Sequence, residues 1–180
     1  PQTEQFHSVK LVLKTDPNAI VDTVLDIYRD PQGILWLGTL DDGVCRYDSN
    51  REQILYIKNN PKDPNSLNEN RVYALCIDPD GSIWIGTDGG GLNRYDPETN
   101  RFTHYLGDSG DPSRLDSITV ISLYNDRQGN LWVGSWGSDN APLCRYDREK
   151  KVFHRYPNDM TNPTGFHGSV VRSICEDYTG

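Results

Sequence analysis

Apolar residues in this chain come in short runs broken by glycine, proline, aspartate and asparagine, and no stretch keeps a helical period. The pattern is clearest between residues 70 and 106. Residues 72–77 form an apolar run. Residues 78–81 read Asp-Pro-Asp-Gly, a type I turn signature with Asp first, Pro second and Gly fourth. Residues 82–87 are a second β-prone run, 88–91 a glycine-rich turn, 92–95 a third run, 96–100 another turn and 101–106 an alternating fourth run. The pattern predicts four consecutive antiparallel strands.

That unit repeats. Trp36, Trp84 and Trp132 recur at intervals of 48 residues, each in Gly-x-Ile/Leu-Trp-Leu/Ile/Val-Gly-Thr/Ser. Asp30, Asp78 and Asp126 keep the interval, each three residues before its glycine. Arg-Tyr-Asp follows at 46–48, 94–96 and 145–147, where the second interval lengthens to 51 through an insertion after Trp132. Asp177 lies 51 residues after Asp126 and opens a fourth copy. Four strands on a period of about 40–50 residues describe a propeller blade. The predicted fold class is all-β: β-propeller blades, four-stranded and antiparallel, in an open arc of three complete blades plus partial blades at both ends. The complete blades are expected at about 22–58, 70–106 and 118–156, with stray strands at about 5–13 and 170–177. A closed ring takes roughly four to eight blades. The chain, which begins at Pro1, is therefore expected to be a piece of a larger propeller whose end blades expose apolar faces and favour association.

Most repeating residues are expected to be structural. Trp36, Trp84 and Trp132 sit among apolar residues and are read as blade-to-blade packing. Asp30, Asp78 and Asp126 are read as turn residues, because the second acid of a calcium loop is missing from the other copies and no glutamate follows. Gly86 to Gly91 joins strand to strand and opens no helix, so it is no phosphate loop. Cys45, Cys76, Cys144 and Cys175 lack zinc spacing and are expected as small buried hydrophobes, with a Cys45–Cys76 bridge as the alternative. His7, His104 and His154, with Arg101, Lys151 and Arg155, are expected to make a polar rim along fourth strands. No catalytic residue, metal or cofactor is expected.

Length variation gathers on one face of the disc. The long connections are 58–70, 106–118 and 157–169, between blades, and the insertion at 136–142 joins a second strand to a third. Loops on a rigid scaffold are where binding usually resides. Trp136 stands outside the repeat, in a loop rich in Ser, Asp and Asn. It is read either as an exposed platform for sugar stacking or as a local plug. Asp139, Asn140, Asp88, Arg71, Arg114 and His167 are the candidate ligand residues around it, with Asp41, Asp42, Asn70 and Asp116 nearby.

The net charge of -8 and the lack of a basic stripe speak against nucleic acid. No apolar run approaches the roughly 18 residues of a membrane span, so no membrane contact by this segment is expected. The repeat Val-x-x-Ile/Leu-x-x-Asp-x-x-Gly-x-Ile/Leu-Trp-Ile/Val-Gly-Thr…Gly-Leu-x-Arg-Tyr-Asp, nearly complete at 72–96, with Val44 for Leu at 24–48 and Ser135 for Thr at 120–147, resembles the two-component regulator propeller repeat. The resemblance implies the periplasmic, ligand-sensing part of a bacterial receptor, often a hybrid histidine kinase of gut or marine Bacteroidetes and sometimes a diguanylate cyclase. It implies an inner-membrane parent protein, an oligosaccharide or other small-molecule ligand, and no catalysis in this segment. The expected partners are the remaining blades of the parent protein and, in a homodimer, a second copy. Two alternatives stay open: a protein–protein interaction scaffold, and a streptogramin-lyase-like enzyme that would use His167.

Overall fold

A computed structural model describes residues 23–48, 50–51, 53–108, 110–111, 113–137, 142–163 and 165–179. The expected strand at 5–13 lies outside them. The described residues form three four-stranded antiparallel sheets and no helix. Blade 1 is β1 (Val24–Arg29), β2 (Leu35–Thr39), β3 (Val44–Asp48) and β4 (Gln53–Ile57). Blade 2 is β5 (Val72–Ile77), β6 (Ile83–Thr87), β7 (Leu92–Asp96) and β8 (Arg101–Tyr105). Blade 3 is β9 (Val120–Asn125), β10 (Leu131–Ser135), β11 (Leu143–Asp147) and β12 (Val152–Tyr156). Within each blade neighbours in sequence are neighbours in the sheet.

The turns follow from the repeating residues. Gly33, Gly81 and Gly129 adopt φ of 85°, 86° and 81°, which only glycine takes without strain. Each donates its N–H to the carbonyl of Asp30, Asp78 or Asp126 at 2.9 Å, a type I turn closed by a glycine bulge. At the third-to-fourth turns, Asp48, Asp96 and Asp147 each accept two backbone N–H groups on one carboxylate oxygen.

The core lies between blades. Strand alternation turns Leu75, Ile83, Ile85 and Tyr95 of blade 2 toward Trp36, Val44 and Ile57 of blade 1. The opposite parity turns Cys76, Trp84 and Leu92 toward Val120, Leu131, Val133 and Tyr146 of blade 3. Trp36 meets Tyr95 at 6.4 Å between ring centroids, and Trp84 meets Tyr146 at 5.3 Å. Trp36 and Trp84 therefore each pack on the Arg-Tyr-Asp tyrosine of the following blade. The Trp132 ring lies against Tyr156 of its own blade, 5.2 Å between centroids, and is partly exposed.

The glycine after each tryptophan is an inter-blade spacer. A Cβ at Gly38 would sit 2.9 Å from Val72 Cγ1, and one at Gly86 would sit 2.7 Å from Val120 Cγ1. Gly86→Ala is expected to cost about 1–3 kcal/mol through overpacking, read as a lower urea midpoint. An unchanged midpoint would mean the blades are not held this closely.

Residues 171–177, expected as a strand, form none. Val170 makes a single bridge to Trp136, Val171 N–H donates to Ser135, and Ser122 Oγ donates to Val171. The stretch follows the blade 3 edge where a next first strand would run, but among the described residues it has no second strand to pair with. Cys175 is consequently exposed, unlike its expected burial, whereas Cys45, Cys76 and Cys144 are buried. All four are free thiols, so the Cys45–Cys76 bridge is absent. Burial pushes the Cys45, Cys76 and Cys144 thiols up to about 11, which leaves them protonated and inert.

Candidate functional site

First strands approach one another across blades, and Leu25, Tyr73, Ile121 and Arg172 line a shallow open pocket of about 250 Å³. Tyr73 and Arg172 connect it to the sequence candidates Asp88 and Trp136. Leu40, Asp88 and Trp136 hold equivalent places on the rim of the long-loop face, one per blade. Their N–H groups donate to the carbonyls of Thr23, Arg71 and Thr119, each at 3.0 Å.

Asp88 is the centre of a polar network. Arg71 Nη1 donates to it at 3.1 Å, Thr119 Oγ1 at 3.2 Å and Tyr73 Oη at 3.4 Å. Arg71 Nη2 also reaches Asp41 of blade 1 at 3.5 Å. The hydrogen bond to Asp88 raises the Arg71 pKa further against the opposing effect of desolvation, and Asp41 adds to it. Asp42 instead takes Lys58 at 2.6 Å. One blade along, Trp136 is 48% exposed. The Arg172 guanidinium lies 5.6 Å from its ring centroid, and Ser117 Oγ donates to its carbonyl at 2.9 Å. The ring is held by its backbone while much of it faces solvent.

The other candidates do not join this rim. Arg114 pairs with Asp111 inside its own loop at 3.3 Å. His167 Nε2 lies 2.6 Å from the Asn162 carbonyl, again within one loop. Asn70 Oδ1 accepts from Asn59 N–H at 2.7 Å, and Asp116 pairs with Arg155 at 3.2 Å. Asp139 and Asn140 lie outside the described residues. Among the described residues no three His, Cys, Asp or Glu side chains gather as a metal site.

The structural aspartates do more than turn the chain. Asp30 and Asp126 each accept the indole N–H of their own blade's tryptophan, at 3.0 and 2.9 Å. Blade 2 departs from this. Among the described residues Trp84 Nε1 has no acceptor, and Asp78, with its side chain 2% exposed, is taken by Arg148 of blade 3. Arg148 Nη1 donates to Asp78 at 2.7 Å and Nη2 to Asn125 at 3.0 Å, while Asn125 donates to the Ile77 carbonyl at 2.7 Å. This clasp closes the short-turn end of the junction between blades 2 and 3. Its signal in the sequence is a single arginine after the third Arg-Tyr-Asp, where the other copies have Ser49 and Pro97.

The long connections also prove regular. Asn59, Gly107 and Asn158 bridge in parallel to Leu67, Leu115 and Phe166, and Leu67 and Leu115 are fully buried. Arg155, expected on a solvent rim, instead donates to the carbonyls of Arg114, Asp111 and Leu115 and fixes its loop. His104 holds the preceding loop through Pro64. The spacing of Asn60, Asp108 and Asp159 carries this loop repeat in the sequence.

A further cleft lies on the opposite, short-turn face. It measures about 1040 Å³ and is walled by blades 1 and 2, including Gln32, Ile34, Trp36, Arg46, Ile77 and Pro97. The Arg46 guanidinium lies 5.6 Å from the Trp36 ring centroid. Asp80 lines the cleft beside Arg94. Burial alone would raise its carboxyl, but the Ser82 hydroxyl and amide and the Arg94 guanidinium outweigh burial and hold it below its ordinary value.

The sequence model described as two component regulator propeller matches residues 20–41, 66–89 and 114–137, one match per blade. No curated protein matches the chain significantly. Among solved structures, the extracellular domain of BT4673 from B. thetaiotaomicron, described as a hybrid two component system, is 23% identical with a TM-score of 0.66 over 87% of this chain. The extracellular domain of BT3049 from the same organism, described likewise, is 21% identical with a TM-score of 0.63 over 87% of this chain. The chain spans 19% and 20% of those two domains. Virginiamycin B lyase from Staphylococcus aureus is 14% identical with a TM-score of 0.56, over 78% of this chain and 42% of the lyase. At these identities the likenesses establish the propeller fold.

Proposed function

On the premise that its three blades are two component regulator propeller repeats, we propose that this chain is part of the extracytoplasmic, periplasmic sensor of a bacterial two-component receptor. It recognises an oligosaccharide and does not transform it. The observation that carries this reading is the half-exposed Trp136 on that rim, one blade from the Asp88–Arg71–Thr119 network. An indole face stacks on the C–H face of a sugar ring, and the neighbouring carboxylate, guanidinium and hydroxyls can satisfy its hydroxyl groups. The likeness in fold to the extracellular domains of two-component systems supports the placement. Blade 1 leaves Ile27 62% and Leu55 51% exposed, which favours further blades of the parent protein as neighbours.

A thermal-shift screen against plant and host oligosaccharides tests this. A ligand at about 100-fold over its Kd stabilises the folded state by about 2.7 kcal/mol. Trp136→Ala is expected to abolish that shift and leave the unliganded melting temperature nearly unchanged. Loss of stability equal to the loss of binding would make Trp136 a plug and overturn the assignment.

A further inference from the structure

Trp136 does not stand free on the rim. The exposed Arg172 guanidinium lies 5.6 Å from its ring centroid. Arg172 makes no hydrogen bond or ion pair among the described residues, so the indole is what holds it. A guanidinium gains modestly from the negative face of an indole at an exposed site. The repeat supplies the control. Positions 40, 88 and 136 are equivalent, and so are 73, 121 and 172 in the first strand that follows each. The first two junctions set Leu40 with Tyr73 and Asp88 with Ile121 at these positions. The third alone sets an indole with a cation.

Arg172 stands where a sugar would enter. It lines the open pocket together with Tyr73, and Tyr73 Oη donates to Asp88 at 3.4 Å. A sugar that stacks on Trp136 and reaches Asp88 crosses this pocket and meets the guanidinium. Arg172 also belongs to a stretch fastened only at its ends. At one end Val171 N–H donates to the Ser135 carbonyl at 3.2 Å and Ser122 Oγ to the Val171 carbonyl at 2.7 Å. At the other, Arg127 N–H donates to the Glu176 carboxylate at 3.0 Å and Arg127 Nη2 to the Asp177 carbonyl at 2.6 Å. Residues 172–175 between them make no hydrogen bond among the described residues.

Resting on the sugar-sensing reading, we propose that Arg172 regulates the Trp136 site. It occupies the indole in the unliganded state, a sugar must lift it, and lifting it loosens residues 172–175, where the next blade begins. Occupancy of the rim is thereby passed along the chain. The coupling is reciprocal: whatever holds Arg172 off the ring raises sugar affinity, and sugar frees the stretch in turn.

The test compares the wild type with Arg172→Ala and Arg172→Lys by calorimetric titration with hexasaccharides of xylose, mannose, glucose and arabinose, all uncharged, so that no charge draws them to Arg172. Arg172→Ala is expected to bind about two- to fivefold more tightly, the weight of an exposed guanidinium–indole contact, and Arg172→Lys to fall between. Amide hydrogen exchange at residues 172–175 is expected to quicken on saturation with sugar in the wild type, and to be fast with or without sugar in Arg172→Ala. Equal binding by Arg172→Ala overturns the proposal, as does exchange that sugar leaves unchanged. Weaker binding overturns it too, by making Arg172 a ligand contact. If the wild type binds a hexasaccharide through Trp136 and Arg172→Ala merely matches it, this proposal fails and the sensing reading stands. If neither protein binds any of the four, both fall.

Discussion

Trp84→Ala is expected to cost about 3–5 kcal/mol of folding stability, the largest effect of a single substitution in this chain. Trp84 has no exposed surface. Its ring lies 5.4 Å from Tyr105 of its own blade and 5.3 Å from Tyr146 of the next, so its loss opens a cavity where two blades meet. Burial of such a ring contributes roughly 4–6 kcal/mol at about 25 cal/mol per Å² as an upper bound. Trp36, 2% exposed and packed on Tyr95, should behave similarly. Trp132 has the same sequence context but no following tyrosine, and its substitution should cost about half as much. Urea unfolding with an unchanged m-value measures all three. Equal losses at Trp84 and Trp132 would show that the indoles stabilise their own blades rather than the junctions.

The second large effect is expected at the clasp. Arg148→Met leaves the Asp78 carboxylate buried, with its side chain 2% exposed. Removing one partner of a buried pair costs about 3–5 kcal/mol. Here the low end applies, because Arg148 is one-third exposed and Arg94 remains 3.4 Å from Asp78. Replacing both residues, Asp78→Asn with Arg148→Met, should recover part of the loss, since no bare charge is then left inside. A double-mutant cycle should return a coupling of about 1–3 kcal/mol. A value near zero would mean that the bond from Asn125 to the Ile77 carbonyl holds the junction without the ion pair.

The blades were legible because a strand unit needs only local information. Alternation, the Asp-x-x-Gly turn and the period of the tryptophans define it. The same residues carry the three matches to the two component regulator propeller model. The stretch after Val170 misled for a physical reason: an apolar run becomes a strand only when a partner lies beside it, and periodicity cannot count partners. Arg155 misled because a cation on an outer strand looks solvated until the loop that wraps it is seen. The candidate site was partly legible. Trp136, Asp88 and Arg71 share one rim because their positions are equivalent in the repeat, but Arg114 and His167 belong to loops that satisfy themselves.

By itself the sequence determined the four-stranded unit, its number of complete copies and the residues that must recur in each, since these depend on backbone conformation and burial period. The tertiary structure alone decided what each junction holds. A glycine reads as a turn residue until a neighbouring valine is found where its Cβ would be. An arginine reads as a surface charge until it lands on an aspartate of the preceding blade, 70 residues earlier in the chain. Contacts between blades join residues of different repeats, so their energies depend on which pair of side chains meets across the gap, and no local pattern along the chain encodes that meeting.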